Sequence, residues 1–415
     1  MQRFIGLIGI AVLVGIALAM SSARKRVDWR IVVMGIAFQA VLAVLVLSFQ
    51  PVVVAFDALA DGVNSVIGAA DAGIAFMFGP NLADPSGPWG FVFLVRVLPV
   101  IIFFSALMAV LYHIGVMQRL IAALAWVLRG VLRVTGAEAL VVAANVFVGQ
   151  TEAPLCIRPY LDKLSRSQLA VLMVGGFATI AGSVLAGYVG LLGAEFTRHF
   201  IAASVMSAPA AFVIAKILEP EVGEPIEGGL GAEWGGERAG NVLDAAAAGT
   251  SDGLRLALNV GAMLIAFVSL LALANLFVGW VGSFFGVSVS VESILGYALA
   301  PLAFLLGAPW AEAPQLGTLL GQKVILTEFI AYSSLADMAH AETPISVRTE
   351  TIAAYALCGF ANIPSIAIQI GGLSALVPER RSEIAGLGFR TMIGGALASW
   401  MTAAIAGLFI PYTTV

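Results

Sequence analysis

Apolar residues fall along this chain in long blocks separated by short polar stretches. Windows near the ~20 residues a helix needs to cross a ~30 Å hydrocarbon core occur at 4–20, 31–49, 91–112, 168–193, 197–218, 256–285, 349–377 and 384–410, which predicts eight membrane-spanning helices. Two more apolar segments are broken by polar residues: 137–163, around "GQTEAP", and 314–337, around "GQKVILTEF". Each arm holds about a dozen residues and reaches about 18 Å, too short to cross. These segments read as re-entrant hairpins, since irregular backbone at membrane depth survives only where protein or a wet cavity surrounds it.

Basic residues orient the pattern, because short cytoplasmic loops collect Lys and Arg. Residues 21–30 carry four, Lys163 and Arg166 follow the first hairpin, and Arg380 and Arg381 lie in "PERRSE". The stretch from Phe49 to Gly90 has Asp57, Asp61, Asp71 and Asp84 but no Lys or Arg, and 279–313 has none either. Eight spans and two hairpins that do not cross put these loops on their expected sides and both termini outside. Arg198 and Arg348 run against the rule, and the soluble-looking loop 219–253 is mainly acidic. Residues 114–134 place Arg119, Arg129 and Arg133 among apolar positions at helical spacing, which fits a helix in the cytoplasmic interface or an extension of the third span.

Composition agrees with the pattern. Of 415 residues, 60% are hydrophobic and 11% charged, against roughly 25% charged in a soluble domain, and the mean hydropathy is +1.00. A net charge of -4 with no basic block leaves nothing to neutralise nucleic acid. Cys156 and Cys358 sit in apolar stretches and read as buried free thiols. The run 4–20, followed at once by Arg24, Lys25, Arg26 and Arg30, reads as a retained first span rather than a cleaved signal.

A repeat changes the picture. "GGFATIAGS" at 175–183 echoes "CGFANIPSI" at 358–366. Upstream of each stands a broken hairpin carrying Gly-Gln and then Thr-Glu, with Gln150, Thr151 and Glu152 in the first and Gln322, Thr327 and Glu328 in the second. Downstream of each lies one more span, and the span 256–285 separates the copies. The predicted topology gives the copies opposite orientations. Inverted repeats with interrupted helices are the architecture of secondary transporters, whose substrate site lies near the midplane where the breaks meet.

Glu152 and Glu328 cost roughly 2.5 to 3.5 kcal/mol each at membrane depth and require partners, water or a substrate. The structural alternative is a carboxylate paired with Arg158 or Lys323. Asn145, Gln150, Thr151, Thr179, Asn362 and Ser365 add neutral donors and acceptors, which suit a polar, uncharged solute. Pro364 disfavours helix at Ile363, so the seventh span is expected to unwind there, and freed carbonyls beside hydroxyls make a nest for a small cation such as sodium. A proline kink with its carbonyls re-satisfied is the plainer reading. A hydrolase would need paired catalytic Asp, a Ser/His pair or an H-E-x-x-H site, and His113, His199 and His340 are isolated. A channel is disfavoured by the hairpin repeat.

"GQTEAPL" at 149–155, "LTEFIAY" at 326–332, "CGFANIPSIAIQIGG" at 358–372 and "NVLDAAAAGTSDGLRLALNVGAML" at 241–264 resemble the concentrative nucleoside transporters, in their bacterial, sodium-coupled form. The resemblance implies an all-α polytopic membrane protein of the inner membrane, with both termini periplasmic, eight helices and two opposed re-entrant hairpins. It implies a homotrimer in lipid that imports nucleosides with sodium as the coupling ion, needs no other cofactor and moves its site as an elevator. Residues 1–112 would supply scaffold helices 1–3 and 254–313 scaffold helix 6, with transport repeats at 113–253 and 314–415. Gln150, Thr151 and Glu152 would hold the nucleobase with Val184 packed on it. Glu328, Asn362 and Ser365 would hold the ribose, with Phe360 close by. Sodium would bind the side chains of Asn145 and Thr179 and the carbonyls of Val148 and Ile180. Thr179 stands where the family often has serine. Proton-coupled relatives lose the asparagine-type ligand, so Asn145 favours sodium over the proton-coupled alternative.

Overall fold

The computed structural model describes residues 4–84, 87–229 and 239–410, and these contain helices and no strands. The chain termini, on which the expected periplasmic ends fall, and residues 230–238 of the acidic loop lie outside the described residues. The first part comprises α1 (Ile5–Ala19), α2 (Trp29–Leu47), α3 (Gln50–Phe78), two single turns, α4 (Pro80–Ala83) and α5 (Phe93–Arg96), and α6 (Leu98–His113). Next come α7 (Val116–Leu132), α8 (Gly136–Asn145), a 3-10 segment Ala153–Tyr160, α9 (Arg166–Ala178), α10 (Gly182–Leu192) and α11 (Thr197–Leu218). The long α12 (Val242–Ser283) leads to α13 (Val291–Leu305), α14 (Ala313–Ile325), α15 (Glu328–Ala339), α16 (Val347–Leu357), α17 (Ile363–Leu376) and α18 (Arg381–Phe409).

The duplicated order is longer than the sequence suggested. A leading helix, two short segments around a break, an interrupted span and a continuous span occur at 116–218 and again at 291–409. The leading helix of the second copy, α13, lies in what read as an outer connection. In the first copy, Gly115 at φ +81 separates α7 from α6, so 114–134 is a separate helix rather than an extension of the third span.

Several expected spans change shape. The segment 49–90 is no loop: its 29-residue α3 is apolar enough to cross a membrane. The window 168–193 breaks at 179–181 between α9 and α10, a turn the sequence did not betray because no proline marks it. The window 349–377 also breaks, at 358–362, before Ile363 rather than at it. Pro364 sits in the first turn of α17, where its missing N–H leaves no helix bond unmade. The helix expected from residue 256 begins at Val242, which takes the last third of the loop 219–253 into α12. Among the described residues seven helices are long and apolar enough to cross a membrane, and α1 and the interrupted α16–α17 are not among them.

Residues 1–112 do not pack as one unit. Helices α1 and α2 lie against α11 and α18. Buried Gln39 of α2 donates to Met206 O at 3.0 Å and to Thr402 Oγ1 at 2.7 Å. Helix α6 instead pairs with α12, where Gly249 and Gly253 sit against Ser105, Ala106 and Ile102, a close approach that small residues permit. Both arginines that break the loop-charge pattern are engaged. Arg198 pairs with Asp57 at 2.8 Å. Buried Arg348 donates to the carbonyls of Gly307, after α13, and of Gly407 and Ile410, at the end of α18, at 2.7 to 2.9 Å, satisfying acceptors that helix ends leave open.

Candidate functional site

The four interruptions meet. Gly359, at φ +110, turns the chain between α16 and α17, and a Cβ there would stand 2.7 Å from Phe177 O and 2.8 Å from Ala178 O, at the end of α9. Only glycine suits both the left-handed backbone and the contact. Gly182 N–H donates to Phe147 O at 3.0 Å, joining the break in the α9–α10 span to the break after α8.

Beside these breaks lies a cavity of about 650 Å³. All eight residues expected to bind substrate line it: Gln150, Thr151, Glu152, Val184, Glu328, Phe360, Asn362 and Ser365. The opposite wall comes from α6 and α12. On α12 the polar residues Asp252, Arg255 and Asn259 recur at helical spacing along one face. They were missed because the "TSDGLRLALN" stretch was read as loop and span rather than as one helix.

Glu328 opens α15, where Thr327 caps the helix by accepting from Ile330 N–H. A carboxylate in the first helical turn is favoured by the aligned peptide dipoles. Its two oxygens are separately held: Tyr188 OH donates to Oε1 at 2.9 Å and Asn362 Nδ2 to Oε2 at 2.8 Å. Asn362 is itself fixed, since its Oδ1 accepts from Ser365 N–H at 2.8 Å as the cap of α17. Tyr188 packs on Phe329, with ring centroids 4.8 Å apart, and on Tyr332 at 4.5 Å. Tyr188 lies one turn beyond Val184 on α10, and that spacing was the sequence signal for it.

The pairing of Glu328 with Lys323 does not form. Lys323 is fully buried, and its ammonium donates to Ala356 O at 2.8 Å, Cys358 O at 3.2 Å and Ser399 Oγ at 2.7 Å. Three donors are thereby used on three acceptors.

The first copy is less tightly bound. Glu152 is exposed to the cavity, and its Oε1 accepts from the hydroxyl of neighbouring Thr151 at 3.0 Å. Gln150 is buried, with Oε1 lacking a hydrogen-bond partner.

Of the expected sodium ligands, Val148 lines the cavity, whereas Asn145, Thr179 and Ile180 lie behind its wall, each nearly fully buried. Thr179 Oγ1 donates to Gly175 O at 2.8 Å, and a Cβ on Gly175 would be 3.3 Å from Asn145 Nδ2. Asn145 Oδ1 is buried without a hydrogen-bond partner. An orphaned buried oxygen is costly, and hard oxygen donors suit a hard cation.

Three family descriptions match the chain in series. "Na+ dependent nucleoside transporter N-terminus" matches residues 8–81, "Nucleoside recognition" 94–195, and "Na+ dependent nucleoside transporter C-terminus" 199–407, just over half of the chain. The chain belongs to the sodium-dependent nucleoside transporter family. It is 46% identical over 408 residues to an "Uncharacterized transporter" of Haemophilus influenzae, covering 97% of each. To "Sodium/nucleoside cotransporter 1" of Rattus norvegicus it is 40% identical over 427 residues, which takes in 99% of this chain and 64% of the rat protein. Its fold superposes on CNTnw in an inward-facing substrate-bound state with a TM-score of 0.93 at 42% identity, covering 99% of this chain and 98% of that one. CNTnw variants have also been solved in outward-facing and intermediate states. The family is one of transporters rather than enzymes.

Proposed function

We propose that this nucleoside-transporter homologue imports nucleosides of the uridine type across the inner membrane, coupled to inward sodium flow. The observation that carries the reading is one cavity with two differently held carboxylates, one from each copy of the repeat. Glu328, oriented by Tyr188 and Asn362, receives the ribose hydroxyls. An ionised carboxylate accepts from two hydroxyls at once, and such charge-assisted bonds are strong. Ser365 and Phe360 complete the sugar side. Gln150, Thr151 and Glu152 face the base, and Val184 packs on it.

Asn145 and Thr179, with the carbonyls of Val148 and Ile180, hold sodium. The unpartnered Oδ1 of Asn145 supports this. Because the ion lies directly behind the residues that grip the base, its binding orders them for substrate.

Packing suggests which parts move. The two repeats together with α1 and α2 travel as one body, and α3, α6 and α12 form the scaffold, in place of residues 1–112. The cavity lies where that body faces α6 and α12, so sliding one against the other carries the site across as an elevator. The short segments around the two breaks act as opposed re-entrant hairpins, three copies assemble in lipid, and both termini face the periplasm.

Uptake of tritiated uridine into proteoliposomes tests the reading. Uptake should rise with external sodium, and uptake indifferent to sodium but driven by a pH gradient would overturn it in favour of proton coupling.

A further inference from the structure

The two copies of the repeat pose the same electrostatic problem. In each, a short helix and the first half of an interrupted span end together: α8 with α9 in the first copy, α14 with α16 in the second. Helix C-termini concentrate partial negative charge and unpaired carbonyls. Two such ends meeting in a low-dielectric interior call for a cation.

In the second copy the cation is covalently attached. Lys323 lies in the last turn of α14, fully buried, with its ammonium on Ala356 O, Cys358 O and Ser399 Oγ. In the first copy Asn145, the last residue of α8, stands beside the last turn of α9. The motif alignment pairs Cys358 with Gly175, and Gly175 is the residue beside which Asn145 Nδ2 lies. The following span contributes a serine to each location: Ser399 reaches Lys323, and Ser204 Oγ donates to Val146 O at 3.1 Å. Residues 134–157 and 167–197, which build the first location, contain no Lys, Arg or His. The buried Lys216 of α11 is held at the opposite, N-terminal ends of α8 and α9, on Glu138 and Ser167, so a cation at the ends that meet has to come from solution.

We propose that Lys323 is a tethered cation occupying the symmetry-related counterpart of the sodium site, so that one location is filled by a diffusible ion and the other permanently by this ammonium. The proposal rests on the sodium reading above and extends it to stoichiometry: each cycle carries a single sodium per nucleoside. The fixed ammonium also explains why Glu328, so near in sequence, lacks a lysine partner and stays available for substrate.

Two measurements test it. Reversal potentials of uridine-coupled current in proteoliposomes give the stoichiometry of the unmodified protein, and a ratio of one sodium per uridine is expected. Lys323→Asn replaces the ammonium by the side chain proposed to ligate sodium in the first copy. It should convert that location into a second ion site, raising the Hill coefficient for sodium from about one toward about two, the limit set by the number of sites. Lys323→Arg, which keeps the charge, should stay near one. Sodium-dependent transport at two sodium ions per uridine would leave the sodium reading standing and overturn the role of Lys323. Folded, active Lys323→Asn with an unchanged Hill coefficient and half-saturating sodium would overturn it as well. Should that variant not fold, the reversal potential decides. Sodium-independent uptake by the unmodified protein is the separate result that removes the sodium reading itself.

Discussion

The two copies of the repeat put a glutamate into the same cavity and treat it differently. Glu328 is 3% exposed, starts a helix and has each oxygen held by a separate side chain from another element. Glu152 opens onto the cavity and is held from within its own segment: its Oε1 accepts from the adjacent Thr151, and its Oε2 folds back against Gly149. A carboxylate held by two fixed donors presents its remaining lone pairs in a set geometry, which suits a rigid vicinal diol common to all ribonucleosides. A carboxylate with room around it accommodates different base edges, directly or through water. Under the proposed function, the shared backbone plan would serve constancy in one copy and tolerance in the other.

The sharpest way to break this comparison is to remove the charge where it is most constrained. Glu328→Gln keeps the shape but loses the charged acceptor, a loss of roughly 1.5 to 3 kcal/mol. Uridine affinity by titration calorimetry should fall by one to two orders of magnitude. Asn145→Ala comes next. It removes the orphaned oxygen proposed to ligate sodium, and half-maximal sodium should rise about tenfold, for a loss near 1.4 kcal/mol, with substrate affinity at saturating sodium little changed. Sodium titration of uridine uptake reads this.

Tyr188→Phe should follow in size, because it frees one oxygen of Glu328 without discharging it. A loss of about 1 kcal/mol would weaken uridine binding several-fold and leave the sodium response unaltered. Glu152→Gln should be the mildest, since the amide oxygen can still accept from Thr151 within the same segment. Its effect is expected to differ between uridine and cytidine in competition assays, whereas that of Glu328→Gln is expected to be the same for both. Equal sensitivity to base at the two positions would remove the distinction drawn above.

Much of this was legible in the chain. The pairing of "GQTEAP" with "GQKVILTEF", and of "GGFATIAGS" with "CGFANIPSI", disclosed the duplication, and Gln150, Thr151, Glu152, Glu328, Asn362 and Ser365 from those motifs converge on one cavity. Features set by packing between distant elements were not legible. The break at Thr179 carries no proline, because the turn is stabilised by contacts with Gly359 and Phe147 rather than by a local breaker. The packing of α1 and α2 depends on which helices Gln39 and the small residues of α1 touch, and chain order does not show these neighbours. Helix α3 was hidden because its four-residue spacing of Asp57 and Asp61 lowers local hydropathy without interrupting the helix. Lys323 looked like a partner for Glu328 because the two are five residues apart, but its stem carries the ammonium to the end of α16 instead.

The division of labour between the two carboxylates is tested most directly by a double-mutant cycle in which the ligand supplies one of the two changes. Calorimetric affinities would be measured for uridine and 2′,3′-dideoxyuridine with the unmodified protein, Glu328→Gln and Glu152→Gln. The unmodified protein and Glu152→Gln should both discriminate strongly against the dideoxy compound, and Glu328→Gln should lose most of that discrimination. Glu328→Gln that still discriminated as strongly as the unmodified protein, or Glu152→Gln that ceased to do so, would contradict the assignment of the sugar to the second repeat.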